Sequence, residues 1–340
     1  MAETYNVTPE NSPMANVTLN ADDVMNIYNG GTATATTIHD GGYLNVFSGG
    51  MADQTNVSAW MDILDGGVAN NTTILGNGWV TVSSGGVANT VLVSSGGLID
   101  ISSDGMVKDA TVNANGELYI SGKVTGQITF ADGAVVSSYE GGIIDFDISE
   151  FSPGNTALLN KLSILKGARD YTLTVDGSQA TGKYTLAGGV PSFNKSITVV
   201  DTLGTELGTI DIGDDLSIGG VKYTLALDSS NLTVTVKGIE ADLTGDLDTR
   251  YELTAGMFAS SVNILNGGNL EVFEGGFTSQ TTVNSGGDLA VSEGGVADVV
   301  TVNFGGDLYV RNGGVATLVK ENGGYVGLST GVIVIVRMVV

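Results

Sequence analysis

The chain has 340 residues, among them 51 glycines, one histidine and no cysteine, and its formal net charge at pH 7 is −24. So much glycine argues against a helical protein, and the missing cysteine excludes thiol nucleophiles, thiolate metal sites and disulfide scaffolds. Nucleic-acid binding is not expected either, because it requires clustered cations and only 13 lysines and arginines are spread over the chain.

The N-terminal segment, residues 1–15, has neither a basic start nor an apolar stretch, so no signal peptide is visible. Beyond it, apolar residues make up 42% of the chain and prolines number four. Val, Ile, Leu and Thr dominate, which predicts a large core built from strands. The chain is too apolar to be disordered in spite of its charge.

A 19-residue repeat fills residues 16–142. Gly-Gly pairs alternate at spacings of 8 and 11 residues in the second half of the chain, and the first half keeps this frame with Asn77-Gly78, Asp104-Gly105 and Asn115-Gly116 in place of some pairs. One unit is shortened to 17 residues, where Ala59-Trp60 replaces a pair. The pairs begin at Gly30, Gly41, Gly49, Gly66, Gly85 and Gly96, and in the second half at Gly267, Gly275, Gly286, Gly294, Gly305 and Gly313.

Apolar residues alternate between the glycine pairs, as a strand with one buried face requires. The predicted inward pairs are Leu44/Val46, Val80/Val82, Ile99/Ile101, Leu118/Ile120, Leu270/Val272, Leu289/Val291 and Leu308/Val310. The residues predicted to face solvent between them are Asn45, Thr81, Asp100, Tyr119, Glu271, Ala290 and Tyr309. Smaller inward residues after the second pair, such as Ala69, Thr72 and Ile74, predict a corner inside a narrow coil.

One such unit cannot bury its apolar face alone, so successive units must stack. The sequence therefore predicts an all-β fold, a right-handed parallel β-helix or solenoid of 19-residue repeats with one unit per coil. A β-roll or a flatter solenoid of the same period remains an alternative, because the period fixes neither the handedness nor the number of faces.

Residues 143–254 lack the glycine frame and are predicted to form an inserted antiparallel β domain. Residues 223–236 are typical of a hairpin, and 156–166 could form a short helix. A second solenoid array is predicted at 255–326. The apolar tail at 327–340 is either an artificial end of the chain or a final capping strand.

The unit G-G-x-L-x-V-x-x-G-G-x-A, seen from Gly286 to Ala297, resembles the repeat of the AIDA-type (diffuse-adherence) autotransporter adhesins. The resemblance implies a β-helical passenger on the surface of a Gram-negative bacterium, exposed at the outer membrane or secreted, that acts in adhesion, self-association and biofilm formation. In that family a membrane barrel follows the passenger, so we expect this chain to be a fragment of a longer protein.

The resemblance also implies that the protein is a glycoprotein, with heptose on serines beside the repeated glycines. The matching candidate acceptors, each directly before a Gly-Gly pair, are Ser48, Ser84, Ser95 and Ser285. Serine is also common in turns for backbone reasons alone.

Other chemistry receives little support. A β-helix enzyme acting on polysaccharides needs two carboxylates on one groove, and the predicted outward positions place none on successive coils. Asp242–Asp248 loosely resembles a calcium loop, but it lacks the loop glycine and the final glutamate, so a solvated linker is favoured. His39 is expected to be a surface residue, and no cofactor or metal is predicted.

The sequence thus predicts a non-enzymatic surface adhesin that associates with like rods or with host or surface glycans. Aromatic residues that could stack on sugars are Trp60, Trp79, Tyr28, Tyr43 and Tyr119, although aromatics at corners also serve as packing caps. A polysaccharide lyase or glycosidase, and a purely structural spacer, are the alternatives.

Overall fold

The computed structural model describes residues 2–177, 179–218, 220–238, 241–330 and the backbone of 333–336. Within these residues the chain is all-β, with two 3-10 turns at Pro9–Asn11 and Leu162–Ile164 and no α-helix. The second turn lies where the sequence predicted a short helix. Across the same described residues, no helix has the length and apolar character needed to span a membrane.

The chain divides into two compact units. The first comprises Met1–Asp176, Gly182–Asp214 and Thr224–Thr235, and the second comprises Gly177–Thr181, Asp215–Tyr223 and Val236–Val340.

Two parallel sheets form the solenoid of the first unit. Sheet I has the strand order β1 (Thr4–Val7), β4 (Val24–Ile27), β7 (Tyr43–Val46), β10 (Trp60–Ile63), β12 (Trp79–Val82), β14 (Leu98–Ile101), β16 (Glu117–Ile120), β18 (Val135–Ser138) and β20 (Lys166–Gly167). Sheet II begins with β2 (Met14–Ala15), β5 (Thr32–Thr34), β8 (Met51–Asp53), β11 (Val68–Ile74), β13 (Val87–Val93), β15 (Met106–Val112) and β17 (Lys123–Phe130). The short strands β3 (Thr18–Leu19), β6 (Thr37–Ile38) and β9 (Asn56–Val57) complete its early coils.

Each coil contributes one stretch to sheet I and one to sheet II, and neighbouring coils pair in parallel, most of them with a register of 19 residues. Thr81 is the Cα partner of Asp100, and Ala69 is the partner of Ala88. This stacking confirms the predicted parallel β-solenoid. The pairing already begins at Thr4, within the segment that the sequence set apart as residues 1–15.

The predicted inward residues fill the core. Leu44, Val46, Val80 and Val82 are fully buried, and the inward pairs of the following coils are at most 1% exposed. Burying one such side chain contributes about 1.5–3 kcal/mol, so the stacked rows are the main source of stability.

Sheet II bends once in every coil at a residue with positive φ. Because of this bend, Ala69 and Thr72 both point inward although they are three residues apart, whereas a straight strand alternates every two residues. The bend explains the small inward residues that the sequence placed at a corner. The residues at the bend are Asn16, Ala35, Gln54, Asn71, Thr90, Asp109 and Gly126.

The two glycines of each pair are required for different reasons. Gly85 has a φ of +74°, a conformation that favours glycine. Gly86 is restricted by space, because a Cβ there would lie 2.4 Å from the carbonyl oxygen of Ile63 on the preceding coil. The pair therefore closes the turn and allows the next coil to approach.

Parallel pairing continues beyond residue 142, where the glycine frame ends. Sheet II is extended by β19 (Ile143–Asp147), β21 (Asp170–Val175) and β23 (Ile197–Asp201), all in parallel, and ends with the antiparallel strand β24 (Glu206–Ile210). The inserted segment thus begins as an extension of the solenoid, because its apolar alternation persists without the glycines. The domain boundaries drawn from the sequence stay a prediction.

A separate sheet III has the order β22 (Gly182–Ala187), β27 (Asn231–Gly238), β26 (Val221–Asp228) and β25 (Asp215–Ile218). The strands β26 and β27 are joined by Ser229-Ser230, with Ser229 at a φ of +59°. This is the hairpin that the sequence predicted at residues 223–236.

The second unit holds two further parallel sheets with the same 19-residue register. Sheet IV has the order β28 (Leu243–Leu247), β30 (Phe258–Ile264), β32 (Phe277–Val283), β34 (Val296–Asn303), β36 (Val315–Asn322) and β38 (Ile333–Val336). Sheet V has the order β29 (Arg250–Leu253), β31 (Asn269–Val272), β33 (Asp288–Val291), β35 (Asp307–Val310) and β37 (Tyr325–Leu328). The remainder of the apolar tail, residues 331, 332 and 337–340, lies outside the described residues.

Candidate functional site

The outer surface of sheet I carries a row of aromatic residues. Tyr43, Trp60 and Trp79 are each the first residue of their strand, and they are Cα partners on three consecutive coils. The indole side chains are 49% exposed at Trp60 and 45% exposed at Trp79. We call these three residues the aromatic row.

The shortened coil brings Trp60 into this row. Two residues, Ser58 and Ala59, connect β9 to β10, whereas four residues connect the equivalent strands of the neighbouring coils. Without a glycine pair at this corner, the chain enters β10 two residues early and still keeps the strand register. The irregularity of the repeat therefore coincides with an exposed indole.

The other aromatic candidates lie elsewhere. Tyr28 stacks on Phe47 at the adjacent corner, with ring centroids 5.1 Å apart. Tyr119 lies in the neighbouring outward row, in register with Asp100, and its ring is 6.2 Å from that of Tyr139. The structure thus brings together three of the five aromatics that the sequence named.

A hydrogen bond links Tyr43 to the following coil, which carries Trp60. The Tyr43 hydroxyl donates to the Asp62 carboxylate. Burial of the hydroxyl raises the pKa of Tyr43 to about 12, and the bond to Asp62 acts in the same direction. The phenol therefore keeps its proton, and with it the bond to Asp62, to a higher pH than an ordinary tyrosine would.

Stacked asparagines form ladders that the sequence analysis missed. Asn45 donates to Asn26 at 3.0 Å, and Asn89 donates to Asn70 at 2.9 Å, each across one coil. A third ladder in the second unit joins Asn303 to Asn284 at 3.0 Å. Asparagines spaced by 19 residues were the available signal, and these side-chain amides hydrogen-bond to one another from coil to coil.

The four candidate acceptor serines are exposed. Ser48, Ser84, Ser95 and Ser285 each lie in the turn directly before a positive-φ glycine. They do not form a single row, because Ser48 and Ser84 follow strands of sheet I whereas Ser95 follows a strand of sheet II.

One predicted outward position is wrong. Ala290 is only 2% exposed, because its small side chain lies between its larger register partners Glu271 and Tyr309. The remaining predicted outward residues are half-buried or exposed, as expected.

The expectation that no carboxylates lie on successive coils is also wrong. Glu252 and Glu271 are Cα partners, and so are Asp288 and Asp307. Glu252 was not among the predicted outward residues because it precedes residue 255, the predicted start of the second array. Arg250 Nη2 lies 2.7 Å from a carboxylate oxygen of each glutamate, so both carboxylates are engaged in ion pairs with the same guanidinium.

The segment Asp242–Asp248 is neither a linker nor a calcium loop. Its central residues form β28 and pair with β30, and the Asp242 carboxylate accepts the backbone N–H of Phe258 at 2.7 Å. Among the described residues no group of three or more acidic, histidine or cysteine side chains could hold a metal ion. His39 is exposed at a corner.

One family model matches part of the chain. Residues 254–306 match the family model described as "Adhesin of bacterial autotransporter system, probable stalk". A solved structure of a TibC-catalysed, hyper-glycosylated TibA fragment is 24% identical, covers 97% of this chain and 86% of that chain, and gives a TM-score of 0.38. The curated proteins yield no significant match.

The matched residues span β30, β31, β32, β33 and the whole of β34, whose register partners are 19 residues apart. They also contain the Gly286 to Ala297 motif on which the sequence resemblance rests. Residues 254–306 are thus similar to the stalk of bacterial autotransporter adhesins, and over this range the resemblance to AIDA-type adhesins is confirmed.

Proposed function

We propose that this chain is a non-enzymatic, surface-exposed passenger region of an autotransporter adhesin and that it acts by association with a second copy of the same chain. The observation that carries the proposal is the register of the outward side chains. Because equivalent residues repeat on every coil, two like chains can form many weak contacts that add through avidity.

We expect the aromatic row to contribute more binding free energy per contact than any other part of this surface. Exposed indoles bury a large apolar area at low entropic cost when a partner covers them. The net charge of −24 opposes association of like chains at low ionic strength. Salt or divalent cations screen this repulsion and should promote association.

The test is clumping of cells that display this chain, measured against added sodium chloride or calcium. We expect clumping to increase with salt and to fall in the Trp60→Ser/Trp79→Ser variant. Phe304→Ser is the matched control, because Phe304 is 81% exposed but lies outside the aromatic row. Unchanged or reduced clumping at higher salt would contradict association of like chains.

A structural spacer is the second candidate, favoured by the words "probable stalk" in the family description. If the chain is only a spacer, whole coils can be removed without loss of adhesion. If the chain associates with like chains as proposed, adhesion weakens with every coil that is removed. Clumping of a variant lacking Val87–Gly105 separates the two.

We also propose that the exposed serines Ser48, Ser84, Ser95 and Ser285 are heptose acceptors. Their exposure leaves room for a sugar, and each is in a turn where a glycosyltransferase could reach it. The measurement is the intact mass of the protein from its native host, compared with serine-to-alanine variants. A mass equal to that of the unmodified chain would rule the proposal out.

A further inference from the structure

A cavity of about 590 Å³ in the first unit combines aromatic rings with charges of both signs. We propose that it binds an acidic sugar, the carboxylate-bearing residue of a glycan. The residues that carry the argument are Tyr171, Phe193, Arg169, Lys195, Glu140 and Asp170.

Arg169 is fixed before any ligand arrives. Its Nε donates to the Tyr171 hydroxyl at 2.6 Å, and its Nη1 donates to the carbonyl oxygen of Gly167 at 2.8 Å. Its Cζ also lies 5.7 Å from the centroid of the Tyr171 ring. Nη2 has no hydrogen-bond partner in the described part of the chain, so the guanidinium keeps donors for a carboxylate.

The aromatic wall is similarly held in place. Tyr171 is 4% exposed and stacks on Phe146 with ring centroids 6.0 Å apart. Phe193 meets Tyr171 edge-on at 5.0 Å and stays half-buried. Phe193 is therefore the ring that can cover the apolar face of a sugar, whereas Tyr171 supports it from behind.

The charges select the ligand class. Two cations, Arg169 and Lys195, line a cavity in a chain whose net charge is −24, and this favours an anion. Glu140 and Asp170 line the same cavity, so a phosphate with about two charges would meet two carboxylates. A sugar acid fits both sets, because it offers one carboxylate to the cations and hydroxyl donors to the acids.

The size agrees with this class. Ligand cavities are usually about 300–1,000 Å³, and this one has room for one or two sugar rings. The proposal concerns a different surface from the aromatic row and does not depend on self-association. Removing the cavity's charges should leave clumping unchanged.

The test is calorimetric titration of the full chain with glucuronic acid and with N-acetylneuraminic acid, using glucose as the neutral probe. We expect at least one acid to bind at least tenfold more tightly than glucose, and the preferred acid distinguishes a uronic from a nonulosonic source. Failure of both acids to bind, or binding of glucose within tenfold of the better acid, would overturn the proposal.

Variants locate the binding in this cavity. Arg169→Gln and Lys195→Gln should each weaken binding of the preferred acid about tenfold, since each removes a charged hydrogen bond. Lys195 is exposed, so its variant keeps the test valid if Arg169→Gln impairs folding. Lys320→Gln, an exposed lysine of the second unit, is the matched control. Unchanged affinity in the Lys195→Gln variant would show that the acid binds elsewhere.

Discussion

In each coil, one residue of sheet II or sheet IV has a left-handed backbone conformation. This conformation limits which residue types can occupy that position. Asn16, Asn71 and Asp109 suit this conformation, whereas β-branched residues are strained in it. Val299 adopts a φ of +53°, and Thr90 adopts +57°. Backbone strain of this kind costs on the order of 1–3 kcal/mol per residue, which the stacked coils must offset.

Replacing Val299 with asparagine should therefore stabilise the protein. Val299 is 39% exposed, so little burial is lost, and asparagine accepts positive φ more readily. We expect the free energy of unfolding to rise by about 1 kcal/mol in chemical denaturation. Thr301→Asn in the same strand, where φ is not positive, is the control and should not stabilise. An unchanged or lower stability of the Val299→Asn variant would argue against strain at this position.

The raised pKa of Tyr43 makes stability depend on pH at the alkaline end. A phenol whose pKa rises from its usual value near 10 to about 12 in the folded state favours folding below pH 10 and loses this contribution as the pH approaches 12. The melting temperature should fall more steeply between pH 10 and 12 in the native chain than in Tyr43→Phe. If the melting temperatures of the two proteins instead fall in parallel between pH 10 and 12, Tyr43 ionises equally easily in the folded and the unfolded state.

At the scale of elements, alternation and spacing were enough to predict the inward residues. Leu44, Val80 and Leu270 follow from the glycine frame alone, because a fixed turn forces the same strand position inward on every coil. The frame could not show what happens where glycines are missing. The parallel pairing of β19 and β21 depends on long-range stacking, which leaves no local mark in the sequence.

The candidate site was only partly predictable for a related reason. Trp60 was visible as an exception to the repeat, but its alignment with Trp79 depends on how the two missing corner residues are absorbed. Likewise Glu252 and Arg250 belong to β29, a strand that precedes the regular glycine spacing. Residues at the end of an array can be assigned to it only from their pairing with the next coil, because their own sequence lacks the glycine spacing.

Because each coil contacts mainly its neighbours, a whole coil should be removable. Deleting Val87–Gly105 joins Gly86 to Met106, the register partner of Val87, so the flanking strands can pair directly. We expect cooperative unfolding and a melting temperature lowered by no more than about 10 °C. Deleting the ten residues 87–96 shifts sheet I against sheet II and should abolish cooperative unfolding. Equal damage from both deletions, measured by circular dichroism, would contradict the stacking of independent coils.

At the scale of the whole molecule, the same repetition that builds the core also builds the surface. Inward rows of Leu, Ile and Val require outward rows of equal spacing, including the asparagine ladders and the aromatic row. A high negative charge keeps such a surface soluble until salt or a partner screens it. The proposed association of like chains thus depends on the winding itself.

The most direct test of this winding uses cysteine pairs, since the native chain has no cysteine. Thr81 and Asp100 are outward register partners, and neighbouring strands lie about 4.8 Å apart, within the Cα range of a disulfide. The Thr81→Cys/Asp100→Cys variant should form a disulfide on mild oxidation. The Thr81→Cys/Tyr119→Cys variant, two coils apart, should not. Failure of the first pair, or equal cross-linking of both, would contradict the stacked 19-residue coil.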